Sequence, residues 1–341
     1  MSRIKALQYY ITARLLLAPL MLFTITTLVF LLLRSTPGDP ADAILGGRAP
    51  ESAKEALRQQ LGLNLPLWQQ YFNYLGNLLK FDLGTSITSQ GQNVLTIITQ
   101  HFPATLELSI FSITVAFVVG VLIGTISAAK PGSIFDIFGK LFGIITYSLP
   151  ITWVGMMGLL VFAGQLKWLP YGTRYPIGME PPKFITGLYT IDSILNGNFS
   201  QFFASLHHLI LPGVTLGILL SGIFQRIVRV NLQETLKSDY VEAARARGIP
   251  ELKILVSHAL KNALIPVITV LGLTLASLLG GAVLTEVTFS WPGLGNRLYE
   301  AISLRDYPTV QGIMVFFGAI VVFASIIIDV LNAYIDPRIR Y

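Results

Sequence analysis

Six apolar runs, at 15–33, 104–129, 141–163, 209–224, 267–287 and 312–331, dominate this sequence of 341 residues. A bilayer core takes about 20 apolar residues per helix, so the runs predict an all-α polytopic membrane protein with six transmembrane helices. The fourth is the shortest, with Pro212-Gly213 near its start. Composition agrees: only 12% of residues carry charge and mean hydropathy is +0.64, whereas a soluble domain holds about twice that charged fraction. The first run resembles a signal sequence in following Arg3 and Lys5. At 19 residues it is too long for one, and the cleavage-like Ala41-Asp42-Ala43 lies far beyond it, so it is read as a retained helix.

Six spans put both termini on one side, and basic residues say which. Counted with the N-terminus inside, the inner segments hold 14 of the 24 lysines and arginines in about half as much loop as the outer ones. Cytoplasmic loops attract Lys and Arg, so both termini are placed in the cytoplasm. The net charge of +6 is then a loop property, and no nucleic-acid partner is expected. The absence of cysteine excludes disulfides, thiolate metal sites and iron–sulfur clusters.

Between the first two runs lies a long outer segment, 34–103. It opens on Pro37-Gly38-Asp39-Pro40, a stiff turn because each proline fixes φ. A short helix over 51–61 would put Ala53, Ala56, Leu57 and Leu61 on one side. A second stretch, 68–81, spaces Trp68, Phe72, Leu75 and Leu79 helically, and both a folded cap and a helix pair at the lipid interface fit it. The proline-rich stretch 164–208 shows no regular pattern.

The most polar piece is the inner loop from about 225 to 265, which reads as helix, turn, helix. Val228, Leu232, Leu236, Tyr240 and Ala244 recur every fourth residue, forming one apolar stripe. Gly248 suits a left-handed helix stop; Pro250 and Glu251 suit the first turn of a second helix. There Leu252, Leu255, Val256, Ala259 and Ala263 are the apolar members. Composition leaves two uses open: packing under the bundle or on headgroups, and insertion into a partner's groove.

Glu242-Ala243-Ala244-Arg245-Ala246-Arg247-Gly248, followed at a distance by Ile265-Pro266, resembles the Glu-Ala-Ala loop of ABC-importer permeases, with Ile-Pro in place of the common Leu-Pro. Further segments resemble the dipeptide, oligopeptide and nickel branch of that family. They are Arg34-Ser35-Thr36-Pro37-Gly38-Asp39-Pro40, Leu61-Gly62-Leu63-Asn64-Leu65-Pro66, Phe81-Asp82-Leu83-Gly84-Thr85-Ser86, Thr285-Glu286-Val287, Trp291-Pro292-Gly293-Leu294-Gly295 and the ending Asp336-Pro337-Arg338-Ile339-Arg340. The likeness covers essentially the whole chain.

The resemblance implies an importer-permease fold in the bacterial inner membrane. Residues 1–103 would form the first helix and a periplasmic segment, 104–331 a five-helix core with its coupling loop at 225–266, and 332–341 a cytoplasmic tail. The implied ATPase-coupling residues are Asp239, Tyr240, Glu242, Ala243, Ala244, Arg247, Gly248 and Pro266. A pathway between paired permeases would involve Ser277, Thr274 and Gly280. Implied partners are a second permease, two cytoplasmic ATPase subunits that bind ATP and Mg, a periplasmic or lipid-anchored binding protein, and membrane lipid. The cargo would be a di- or oligopeptide, or else nickel or another small solute.

The remaining chemistry is sparse. Glu107, Glu286 and Asp329 fall near span ends, where anchoring or capping suits them better than the mid-span relay of an ion-coupled secondary transporter. Gly120 and Gly124 make a Gly-x-x-x-Gly packing step, and Gly272, Gly280 and Gly281 stud the fifth run. There is no phosphate-binding loop, so ATP hydrolysis is not expected of this chain. His207-His208 does not suggest a metal site, and no hydrolase motif is present.

Overall fold

The computed structural model describes residues 3–35, 38–46, 48–60 and 62–335. It is helical nearly throughout. In chain order the helices are α1 (Arg3–Ser35), α2 (Pro40–Leu45), α3 (Glu51–Gln60), α4 (Leu67–Leu79), α5 (Val94–Ala129), α6 (Ile134–Ser148) and α7 (Ile151–Gly158), which runs into a π-helical stretch, Leu159–Gln165. Then come α8 (Tyr189–Leu195), α9 (Phe199–Thr235), α10 (Asp239–Ala246) and α11 (Glu251–Lys253), followed by a second π stretch, Ile254–Ala259. The chain closes with α12 (Leu260–Ala263), α13 (Ile265–Leu279), α14 (Val283–Thr288), α15 (Leu294–Ser303) and α16 (Tyr307–Ile335). Pro37, Leu61, the Asp329 side chain and the tail from 336 lie outside the described residues.

Among the described residues, α1, α5, α9 and α16 are each long and apolar enough to span a bilayer. Two bent pairs pass the same test only when each is taken as one span, which brings the number to six: α6 with α7 and its π stretch, bent by 98°, and the 251–263 segment with α13, bent by 51°. Three of the expected runs change shape. The third, 141–163, is not one helix, because Pro150 cannot donate to the preceding turn and holds Leu149 extended at φ −82°, ψ 128°. The fifth stops at Leu279, where Gly280 and Gly281 (φ +118°) lead the chain out of the helix before α14. The fourth grows to the 37-residue α9, since its polar C-terminal turns project beyond the apolar window and Pro212 is absorbed within it.

α5 and α9 form the central pair, and glycines set their separation. A Cβ on Gly120 would lie 2.5 Å from Phe224 Cβ, one on Gly124 2.8 Å from Val228 Cβ, and one on Gly217 2.7 Å from Val115 Cβ. The close crossing therefore needs small residues on both helices. Around it pack Ile113, Ala116, Leu216, Phe224, Val228 and Val267, all buried. The outer end of the core joins Val94 and Ile98 of α5 to Leu294, Leu298 and Ile313. α1 packs chiefly on α16 and leaves Leu16, Leu20, Phe23, Leu28 and Leu32 exposed for lipid.

The outer segment is a cap built on charge pairs. Gly38 adopts φ +107° with Arg305 against it, and Asp39 caps α2 by accepting from Ala41 N (2.9 Å). Asp39 also takes the Arg58 guanidinium (2.5 Å), and Lys54 pairs with Asp42 (2.6 Å). Of the residues expected on one side of α3, Leu57 is half-buried and Leu61 lies outside the described residues. Ala53 and Ala56 are exposed, and the aliphatic stem of Lys54 is tucked in instead. On α4, Trp68, Phe72 and Leu79 of the expected face are exposed and Leu75 is half-buried. Tyr71 and Tyr74 face α1 instead, with ring centroids 5.2 and 5.8 Å from Phe30, and Tyr71 Oη meets Thr27 Oγ1 at 2.6 Å.

The 164–208 stretch is ordered by buried polar groups. Asp192 of α8 accepts from the backbone N–H groups of Ile185, Thr186 and Gly187 and from Thr186 Oγ1. Burial alone would raise its carboxyl, but these bonds outweigh it and hold the pKa below the usual range. Arg174 donates to Glu107 (2.6 Å) while its guanidinium stacks on Tyr189, 3.8 Å from the ring centroid. His207 and His208 pin backbone carbonyls at Trp168 and Gly172.

Two of the three acids named near span ends, Glu107 and Glu286, are buried, and each caps a helix. Glu107 accepts from Thr190 N at the start of α8. Glu286 accepts from Asn296 N at the start of α15 and from Thr105 Oγ1.

Candidate functional site

The inner loop is anchored on one face and open on the other. Its buried face joins Val241 and Ala244 of α10 to Leu232 of α9, Ala128 of α5, and Ile254, Ala259 and Ala263 of the following segment. The stripe expected over 228–244 is broken at 236–238. α9 ends at Thr235, and Ser238 (φ −77°, ψ 149°) restarts the chain as α10. That re-phasing puts Val241 in the core and turns Tyr240 outward.

α10 ends as expected, in a glycine stop. Gly248 sits at φ +73°, with Gly248 N donating to Arg245 O (2.9 Å) and Ile249 N to Ala244 O (3.3 Å), the two bonds of a Schellman cap. Nothing lies within 4 Å of where a Gly248 Cβ would stand, so the backbone angle alone demands glycine. Arg245 then bridges to Glu251 (2.7 Å), which raises the arginine's pKa and staples α10 to α11.

Beyond Pro250 the second helix departs from regular α geometry. Leu252 and Val256, expected on its apolar side, are exposed, whereas Ile254, Ala259 and Ala263 are buried. A π turn bonds residues five apart, which brings Ile254 and Ala259 onto one side. The bend into α13 follows at Leu264, with Pro266 in the first turn of that helix.

The open face can be read directly. Tyr240, Ala243 and Arg247 stand three and four residues apart and so share one side of α10; all three are exposed, as are Asp239, Glu242, Gly248 and Pro266. Tyr240 Oη accepts from Asn262 Nδ2 (2.8 Å), which fixes the ring relative to α12. The face thus offers an aromatic, a small flat residue and a cation on a rigid base, the composition of a helix that enters a groove. Ala244 is the one residue of the expected coupling set that faces inward.

The three expected pathway residues lie apart from this face, Ser277 and Thr274 on α13 and Gly280 just past its end. Ser277 is exposed, Thr274 bonds its own helix at Val270 O (2.8 Å), and Gly280 approaches Val321 of α16. A feature that periodicity did not reveal is a cavity of about 940 Å³ between α6 and α9, below the Pro150 bend. Its walls include Gly143, Thr146, Ile151 and Leu216, with Gln225, Lys140, Arg226 and Arg229 at the inner end. Arg229 and Lys140 are held there by the buried Asp136, at 2.5 and 3.1 Å. Two glycines on one face of α6, Gly139 and Gly143, were the available signal: a Cβ on either would meet Gln225, at 3.1 and 2.8 Å. Among the described residues no cluster of His, Asp or Glu could hold a metal ion.

Comparison with known proteins agrees in sequence. Residues 120–341 match the family described as "Binding-protein-dependent transport system inner membrane component". Residues 7–109 match its companion, "Binding-prot-dependent transport system membrane comp, N-term". A dipeptide transport system permease protein of Alkalihalophilus pseudofirmus is 41% identical over 97% of this chain and 99% of its own length. A probable D,D-dipeptide transport system permease protein of Escherichia coli is 41% identical over 92% of each chain. An oligopeptide transport system permease protein of Bacillus subtilis is 34% identical over 97% of this chain and 99% of its own.

Proposed function

The chain belongs to the family of binding-protein-dependent transport system inner-membrane components, and on that premise we propose that it conducts di- or oligopeptides and takes its drive through the open face of α10. Membership makes it a multi-pass inner-membrane permease subunit of an ABC importer, working with an ATPase and a substrate-binding protein in other chains. The peptide assignment is supported by the relatives, whose names specify dipeptides and oligopeptides. A second permease of this fold and two ATPase subunits would complete the assembly.

The observation that carries the coupling reading is the anchoring of α10. Val241 and Ala244 lock it to the inner ends of α5, α9 and α12, so a push on Tyr240, Ala243 or Arg247 moves those ends rather than a floppy loop. Interiors are close-packed and transmit strain. ATP binding would close the ATPase pair, displace α10 and pass the motion through the bend at Leu264 into α13. The work comes from contacts that differ between two states of the assembly, with no chemistry in this chain. The α6–α9 cavity would form one wall of the pathway: apolar sides tolerate varied side chains, and Lys140, Arg226 and Arg229 suit a peptide carboxylate at the inner end. Ser277 and Thr274 of α13, with Gly280 just past its end, would line a further stretch.

Uptake in proteoliposomes carrying the whole transporter tests this. Entry of a labelled dipeptide should require ATP and the binding protein, and should survive ionophores that collapse ion gradients. Uptake driven by an ion gradient without ATP would overturn the assignment, and nickel entry in place of the dipeptide would overturn the cargo.

A further inference from the structure

Three segments singled out in the sequence play no part in the docking loop or the α6–α9 cavity: the Arg34 motif, Gly62-Leu63 and Asp82-Leu83-Gly84. The fold brings all three to one place. They line a cavity of about 200 Å³ between the outer ends of α1, α4 and α16, together with Tyr74 and Gln311.

Its polar lining is unbalanced. Arg34 donates through Nε to Gln70 Oε1 (2.8 Å), and its guanidinium lies 5.2 and 4.9 Å from the ring centroids of Phe30 and Tyr307. Yet Arg34 Nη1 is buried, and no described residue accepts from it. Tyr74 Oη and Gln311 Nε2 are likewise buried without a partner, and Gln311 as a whole is only 8% exposed. The one acid on the wall, Asp82, is exposed and accepts from Gly84 N (2.9 Å). A guanidinium N–H and an amide N–H can only donate, and a phenol can do so. Buried polar groups are almost always paired, since each left bare costs roughly 1–3 kcal/mol. Three donors without an acceptor, on three residues that line one small cavity, call for an acceptor among them, and the fixed charge makes that acceptor anionic.

We propose that this cavity binds a single oxyanion group, a phosphate or a carboxylate, through Arg34, Tyr74 and Gln311. The volume admits such a group with a few attached atoms and no more. The site lies beside the lipid-exposed flank of α1 and off the α6–α9 cavity, so its ligand would be a resident or regulatory anion rather than cargo. Two sources offer the chemistry: the headgroup of an outer-leaflet phospholipid and a soluble anion.

The test uses the full chain, delipidated in detergent, with unfolding temperature and native mass spectrometry as readouts. The probes are phosphatidylethanolamine, diacylglycerol with the same acyl chains, and inorganic phosphate. The expected result is stabilisation and retention by phosphatidylethanolamine, by phosphate, or by both, at least tenfold above diacylglycerol. A response to phosphate alone identifies a soluble anion, and a response to the phospholipid alone identifies the headgroup. Arg34→Gln should abolish the response. Tyr74→Phe, which keeps the ring on Phe30 and removes only the hydroxyl, should weaken it several-fold if Arg34→Gln fails to fold. No preference over diacylglycerol and no response to phosphate in the wild type would overturn the site, as would a wild-type response in both variants.

Discussion

Gly248 and Gly293 are both indispensable, for opposite reasons. Gly248 stands in open space at φ +73°, so a β-branched residue there strains the backbone by roughly 1–2 kcal/mol and distorts the cap that aims α10. Gly293 has ordinary extended geometry, but a Cβ would fall 2.4 Å from the buried Glu286 carboxyl. We expect Gly248→Val to insert and assemble, with an unfolding temperature lowered no more than that of Gly293→Ala, while cutting ATP-coupled uptake at least tenfold. Gly293→Ala should cost about 1–3 kcal/mol by overpacking, seen as a lowered unfolding temperature and loss of assembled protein. Comparing unfolding temperature with uptake in the two variants checks the contrast. The first glycine was legible in the sequence, because a stop between two periodic helices calls for a left-handed residue. The second was not: its neighbour Glu286 is seven positions away and meets it only through the turn at Trp291, whose Nε1 donates to Ala104 O (2.8 Å).

Elements were legible where local chemistry decides them and illegible where a distant partner does. The glycine stop at 248 and the restart at Pro250 follow from residue types alone. The π stretch Ile254–Ala259 does not, because it exists to set two side chains against Leu232 and Val241. Nor does the outward turn of Trp68 and Phe72, which reflects the better fit of Tyr71 and Tyr74 to α1. The 164–208 stretch showed no pattern because its order comes from Asp192, whose carboxylate gathers three backbone donors. That carboxyl is held below its ordinary pKa, so its ionised form favours the folded loop. The contribution is full above the unfolded value of about 4 and is lost as pH falls through the lower folded value. Hydrogen exchange at 185–195, corrected for intrinsic rates, should stay protected from about pH 8 to 5 and open below about 4. Asp192→Asn should open the same amides at neutral pH, at a cost of about 1–3 kcal/mol. Protection that is flat through pH 3 would contradict the role given to Asp192.

At the scale of the whole molecule, the four single-helix spans were legible because lipid imposes a length. The two bends were not, since hydropathy is blind to direction: the 98° turn at Pro150 and the 51° turn at Leu264 set the two bent pairs apart from α5 and α9, each of which is a single helix. The second bend joins the docking segment to α13, and that connection is the core of the functional account. It can be probed cleanly because the chain contains no cysteine, so any thiol introduced is the sole one in this subunit. The most direct measurement places Ala243→Cys on the open face of α10 and Trp68→Cys on the exposed side of α4, each carrying a thiol-reactive photo-crosslinker, in membranes that hold the whole transporter. An adduct with the ATPase subunit is expected from Ala243→Cys, its yield changing when ATP is added, and none from Trp68→Cys. An uptake-competent transporter that gives no ATPase adduct from Ala243→Cys, or equal adducts from both positions, would contradict docking through α10.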